Sequence, residues 1–306
     1  MNMTETVANQ RAYRSIFLDD GWAHQAYYGW RVSEDLPGLR ILQKQRMGLT
    51  RNLILLTAEG QSELPDAISR IFSRVGFSDV IIHDFDSHLP GDLVLKGRHF
   101  HRASPEERLL NIATYVVDLE QSEEALWKNM GSKSRNVIRK AEENNTRLIT
   151  NMDFRQFMTC FYEFYAVLSD KYALAVPNFN SLERMHNNGQ LKLVCAVNGD
   201  GKPVLTNILY VTGTKAFYLY SASDDDVGPG VGQFAQWKSM LHLKSLGCMW
   251  YDLGGVQDQN STDGVHKFKK SLGGSFYDVG SEFRSTTPGF EFIRASAARL
   301  KKFGTL

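Results

Sequence analysis

The chain has 306 residues, with 35 Lys plus Arg against 34 Asp plus Glu and a formal net charge of +1. With 42% hydrophobic and 23% charged residues it is not a disordered chain, and its length suits one large domain or two ordinary ones. The near-neutral total excludes a protein coated in basic residues, so any nucleic-acid contact must come from a local arrangement.

In chain order, residues 51–58 predict a buried strand, 62–75 a helix ended near Gly76, and 78–85 the next strand. Residues 113–119 close this first block with another strand. Ser122 is the expected N-cap of a helix running to about Asn144, and Glu123 and Glu124 fall where carboxylates complement exposed amides. A second block opens with a short strand at 147–150. Phe154, Phe157, Met158, Phe161, Phe164, Tyr165 and Leu168 then mark one face of an amphipathic helix. Strands follow at 191–198, 203–211 and 215–222, with turns at Asp200-Gly201 and Gly213-Thr214. Next come a glycine-rich loop, a helix over about 232–246, a strand from Met249 to Leu253, a short helix over 264–271, and a strand pair near 275–284. The tail from Pro288 to Phe303 has a helical period and is expected to pack back on the body. Two similar blocks of mixed strands and helices predict an α/β fold with mixed sheets covered by helices.

Three stretches have the chemistry of a site. The loop Val227-Gly228-Pro229-Gly230-Val231-Gly232 follows a strand and opens a helix, where backbone N–H groups bind anions. A tight turn after three aspartates accounts for the same residues equally well. The segment Tyr251-Asp252-Leu253-Gly254-Gly255-Val256 ends a strand, and its glycines let the sheet end open into a crevice. Downstream, Phe268 and Leu272 face inward at i,i+4, while Lys269 lies off that face and can project toward the crevice. Arg135 and Arg139 are i,i+4 neighbours whose repulsion an anion would relieve, although a solvated helix face balanced by Glu142 and Glu143 is the plainer account. The strand carrying Phe217, Tyr218 and Tyr220 is mostly core, with one face able to offer a tyrosine to the crevice.

Other chemistries find little support. Cys160, Cys195 and Cys248 are too far apart in sequence for a C-x-x-C motif, and their sparse, odd number suits a reducing compartment. His99-x-His101 has no further ligands nearby in sequence, so no metal is expected. Asp224, Asp225 and Asp226 are read as solvating a turn, and there is no G-x-S-x-G elbow. A polar N-terminus and the lack of any apolar run of about 20 residues lead us to expect a cytoplasmic protein with no transmembrane segment.

Taken together, these stretches resemble the Fem family, the peptidoglycan interpeptide-bridge aminoacyltransferases. The resemblance runs through Tyr115-Val116-Val117-Asp118-Leu119, Trp127, and Ser134-Arg135-Asn136-Val137-Ile138-Arg139-Lys140-Ala141. It resumes at Gly201-Lys202-Pro203-Val204, Phe217 to Ser221 and Tyr251 to Gly255, and ends at Phe268-Lys269-Lys270-Ser271-Leu272-Gly273-Gly274. It implies two tandem acyl-CoA N-acyltransferase (GNAT)-like domains. The first spans 1–146 and is completed by the C-terminal segment 287–306; the second spans 147–286. It implies further that an amino acid passes from aminoacyl-tRNA to an amine on a peptidoglycan precursor, or on a natural-product or peptide acceptor, in a cleft at the domain junction. No cofactor is expected beyond aminoacyl-tRNA as co-substrate. The family's Phe-Lys pair maps onto Phe268 and Lys269, with the lysine at the reacting ester. Asp252 is a candidate base by position, Arg135, Arg139, Tyr220, Gly254 and Gly255 are expected to bind substrate, and Gly228, Gly230 and Gly232 to hold donor phosphate. The long coiled-coil arm of some members has no room between 122 and 150. The alternatives are a GNAT-type N-acyltransferase using acyl-CoA and a catalytically silent binding module.

Overall fold

A computed structural model describes residues 15–19, 30–46, 49–73, 77–86, 89–91, 93–105, 107–172, 174–256, 263–287 and 289–290. The chain forms two compact units, one built on Ala113–Tyr277 and the other on Phe17–Ile112 together with Asp278 onward. Each is organised on a seven-stranded mixed sheet.

The unit containing residues 17–112 carries strands β1 (Arg31–Leu36), β2 (Leu39–Arg46), β3 (Leu49–Leu56), β4 (Phe77–Asp84), β5 (Leu93–Leu95) and β6 (Arg98–Arg102). The late strand β14 (Ser281–Thr286) returns to it, giving the order β1-β2-β3-β4-β14-β6-β5. β3 and β4 are parallel, joined through helix α1 (Leu64–Ser73), whose Leu64, Ala67, Ile68 and Ile71 bury against Ile54, Leu56, Val80 and Ile82. The opposite sheet face holds an ionic cluster, in which Arg51 and Arg284 both engage buried Asp79.

In the unit 113–277 the sheet runs β13-β7-β12-β11-β10-β9-β8. Its strands are β7 (Ala113–Asp118), β8 (Arg147–Ile149), β9 (Leu191–Val197), β10 (Pro203–Thr212), β11 (Lys215–Ser223), β12 (Trp250–Val256) and β13 (Ser275–Asp278). Helices α2 (Glu123–Asn129), α3 (Ser132–Glu143), α4 (Phe154–Tyr172), α5 (Phe179–Asn187), α6 (Val231–Ser245) and α7 (Gly264–Ser271) complete the unit. Leu126, Ile138, Phe234, Trp237 and Met240, from α2, α3 and α6, share one core with Tyr115, Val117, Leu209, Tyr251 and Leu253 of the sheet. α4 packs on β10 and β11. Among the described residues no helix is long and apolar enough to cross a membrane.

Several boundaries differ from the sequence reading, each for a tertiary reason. The stretch 123–144 is two helices, because Met130 turns extended and is buried, and the Gly131 N–H donates to the Ser271 carbonyl. Ser122 does cap α2, accepting from the Ala125 N–H at 3.2 Å. The unit division falls at residue 112 rather than 146, since β7 pairs with β12. β13 and β14 are not a pair, because they enter different sheets. The return to the first sheet is made by β14, and residues 291–306, where most of the tail helix was expected, lie outside the described residues.

Candidate active site at the opening between β11 and β12

β11 and β12 are parallel neighbours paired over three residues only, from Lys215↔Trp250 to Phe217↔Asp252. Both run on, to Ser223 and Val256, so the sheet opens between them. Two bulges shape this opening. On β11 the register slips so that Leu219 is the extra residue, with Tyr218 opposite Leu209 and Tyr220 opposite Ile208. On β12 it slips between Asp252 and Gly255. Gly254 lies within that slip at φ +80°, a conformation glycine adopts without Cβ strain.

Lys269 fills this opening. α7 starts at Asp263, whose carboxylate accepts from the His266 N–H at 2.7 Å. Phe268 then lies over Gly232 in the first turn of α6, its ring 3.6 Å from where a Cβ would sit. This turns Lys269 inward, 9% exposed, with Nζ donating to the Gly255 carbonyl at 2.9 Å. A methyl group at Gly254 would lie 3.2 Å from Lys269 Nζ and 3.3 Å from the Tyr218 carbonyl oxygen. The ammonium is thus held by a backbone carbonyl of β12, with Gly254 leaving room for it beside the backbone of β11. Burial pulls its pKa down to about 8, while Asp252 and Asp263 oppose the shift.

Asp252 is 3% exposed. Its Oδ1 accepts the Gly254 N–H at 2.7 Å and lies within hydrogen-bond reach of the Thr114 hydroxyl, which is also 3.0 Å from the Gly254 carbonyl. The carboxylate is thereby fixed beneath the bulge as a counter-charge to Lys269. Thr114 had no signal in the sequence; it reaches Asp252 only because β7 and β12 pair in this register.

The other expected site residues are distributed differently. Tyr220 packs against Phe161 and Tyr165 of α4, with ring centroids 6.1 and 5.9 Å away, and burial raises its pKa. The Leu219 bulge puts it on the face opposite Tyr218, and Tyr218 instead lies beside Ser221 and Gln236. Arg135 caps α2, donating to the Lys128 carbonyl at 2.9 Å and engaging those of Trp127 and Met130. Arg139 is exposed, bonded to Asn136 at 3.1 Å and poised 5.4 Å from the Trp127 ring centroid. Gly230 has φ +86° and lies against the Val137 backbone of α3, while Gly228 meets only Val231. Gly230 and Gly232 therefore serve helix packing, against α3 and Phe268 respectively. Burial pushes the Cys195 thiol up to about 12 and raises those of Cys160 and Cys248, so none is poised as a thiolate.

The capping role of Arg135 gives a stability prediction. Arg135→Ala is expected to lower stability by about 1–2 kcal/mol in urea unfolding. Arg135→Lys should not restore it, because one ammonium cannot span the carbonyls that the guanidinium fork reaches.

A model of the FemAB family matches residues 182–298, a stretch containing β9 to β12 and α7. No curated protein matches the chain. Among solved structures the fold is similar to the crystal structure of FemX, at 13% identity and a TM-score of 0.68, covering 96% of this chain and 98% of that one. It is similar to L-PGS from Bacillus licheniformis at 10% identity and TM-score 0.58, covering 90% of each chain. It is also similar to the C-terminal domain of a putative lysylphosphatidylglycerol synthetase from Agrobacterium fabrum, at 11% identity and TM-score 0.55, covering 88% of this chain and 86% of that one.

Proposed function

We propose that this chain, which a FemAB family model matches over residues 182–298 and whose fold is similar to that of FemX, is a Fem-like acyl- or aminoacyltransferase that moves an amino acid from aminoacyl-tRNA to an amine acceptor of the peptidoglycan-precursor type. The observation that carries this reading is the buried ammonium of Lys269 between the parting ends of β11 and β12.

In this reading the acceptor amine attacks the ester carbonyl carbon of the donor. A C–N bond forms, the ester C–O bond breaks, and the terminal ribose hydroxyl leaves with a proton from the amine. An ester is already activated, so the protein's work is alignment and stabilisation of the oxyanion. Lys269 supplies the positive charge at that oxygen, and Phe268 fixes the helix that presents it. Asp252 keeps the lysine charged, as a counter-ion whose Oδ1 already accepts the Gly254 N–H. Gly254 and Gly255 shape the opening, and exposed Arg139 is available for donor phosphates.

Incubation with tRNA charged with a labelled amino acid, with and without an amine-bearing peptidoglycan precursor, tests the proposal. Label should move from tRNA to the precursor as an amide. Coenzyme A release from an acyl-CoA, with the charged tRNA untouched, would sink it in favour of a GNAT-type N-acyltransferase.

A second test is the pH profile. The Lys269 ammonium loses its proton around pH 8, so turnover is expected to decline as pH rises through that value. A lysine acting as a general base would give the opposite slope.

A further inference from the structure

A buried pair that the reaction does not use lies under the same helix. His266 is 3% exposed on α7, three residues before Lys269 and on the same inward side. Its Nε2 is hydrogen-bonded to the Tyr115 hydroxyl at 3.1 Å, and the two rings are 5.5 Å apart. Its Nδ1 is buried without a hydrogen-bond partner. Tyr115 is thus the hydrogen-bonding partner of the imidazole. Tyr115 itself is held edge-on against Phe276, at 5.7 Å between centroids, and follows Thr114 on β7. Two adjacent residues of one strand therefore support the two ends of the site. Thr114 fixes the Asp252 bulge, and Tyr115 fixes the helix that carries the lysine.

We propose that Tyr115 and His266 are positioning residues for Lys269, holding α7 so that its ammonium stays in the opening between β11 and β12. The catalytic consequence rests on the function proposed above; the positioning itself does not. An eight-residue helix has little stability of its own and takes its place from tertiary anchors. Phe268 and Leu272 anchor α7 through apolar contacts, which tolerate sliding. The C-terminal end of α7 is bonded through Ser271 to the Gly131 N–H and the Ser134 hydroxyl, and the His266–Tyr115 bond is a directional anchor for its N-terminal half. Without the hydroxyl, both ring nitrogens of a buried imidazole would be unpartnered, and the helix would shift to let the ring reach water. Lys269, on the same side, would move outward with it. Its burial would lessen, and the lowering of its pKa with it. Asp252 from β12 and Asp263 at the cap of α7 act in the opposite sense, but burial is the larger influence.

The test reads Lys269 directly. Protein with 13Cε-labelled lysine is titrated by NMR, and the Lys269 signal is assigned by its loss in Lys269→Met. In Tyr115→Phe, which keeps the ring and removes the hydroxyl, the Lys269 midpoint should rise by about one unit or more. The turnover number should fall at least about tenfold, with little change in donor KM. In His266→Gln, whose amide nitrogen can still reach Tyr115, the midpoint should stay near that of the parent. If Tyr115→Phe does not fold, His266→Leu makes the same measurement and should also raise the midpoint. An unmoved midpoint in a folded Tyr115→Phe or His266→Leu protein overturns the positioning role. A moved midpoint together with full activity of Lys269→Ala leaves the positioning role standing and removes the proposed function. An unmoved midpoint together with an inactive Lys269→Ala does the reverse.

Discussion

Lys269→Met is expected to lose about 100- to 1000-fold in turnover, the range for removing one preorganised oxyanion donor, while the protein remains at least as stable at neutral pH. The two effects have one cause. The folded state holds the lysine with a pKa of about 8 against an ordinary value of 10.5, so a charged Lys269 opposes folding below pH 8, by about 3 kcal/mol. Methionine keeps the length and most of the volume of the side chain without the charge. The loss of the Gly255 hydrogen bond offsets part of the gain. A pH series separates these contributions. Because the pKa is lowered on folding, the unfolded chain binds more protons between about pH 8 and the ordinary lysine value, and stability of the parent rises with pH across that window. That rise should be absent from Lys269→Met. A variant that is inactive and also less stable at every pH would show that the lysine serves packing rather than chemistry.

Gly230→Ala is expected to destabilise the unit 113–277 by about 2–4 kcal/mol, combining the cost of a left-handed backbone with that of overpacking. The added Cβ would sit 2.4 Å from the Val137 carbonyl oxygen and 2.8 Å from Val137 Cβ. Neither atom belongs to a flexible side-chain end, so relief requires α3 and α6 to separate. Their parallel packing also carries the Lys238–Glu142 ion pair at 2.8 Å, which would loosen with them. Gly228→Ala is the control. Its Cβ meets only Val231 Cγ2, at 3.8 Å, and should cost a few tenths of a kcal/mol. Urea unfolding of the two variants measures the contrast. The same pair examines the loop as a phosphate cradle. If the loop holds donor phosphate, Gly228→Ala should raise the donor KM while shifting the unfolding midpoint far less than Gly230→Ala does.

Much of the second unit could be read from the sequence. The strands from Leu191 to Ser223, the helix from Val231 and the short helix from Gly264 follow from hydrophobic periodicity and turn residues, which act within a few residues of one another. Lys269, as the lysine at the reacting ester, and Asp252, as a candidate base by position, were each singled out in sequence, and the fold places the carboxylate where it acts on the lysine's charge. Tyr220 illustrates the limit. Alternation along β11 places Tyr218 and Tyr220 on one face, and a single extra residue, Leu219, separates them. Such a slip depends on the pairing with β10, so the strand's own sequence does not announce it. Arg135 shows a second limit. Its i,i+4 spacing with Arg139 suggests an anion site, but the break at Met130 brings three carbonyls to its guanidinium.

The sequence by itself determined local structure and the residue types available for catalysis, because periodicity, capping and turn chemistry operate over a single helical turn or hairpin. Tertiary structure alone decided that β14 returns to the first sheet, that Thr114 and Tyr115 stand beneath Asp252 and His266, and that Gly230 and Gly232 are filled by neighbouring chain. Those contacts join residues more than 90 positions apart, or a glycine to a helix from another part of the unit. Their register is set by the burial of whole sheet faces, a quantity that no local window of sequence contains.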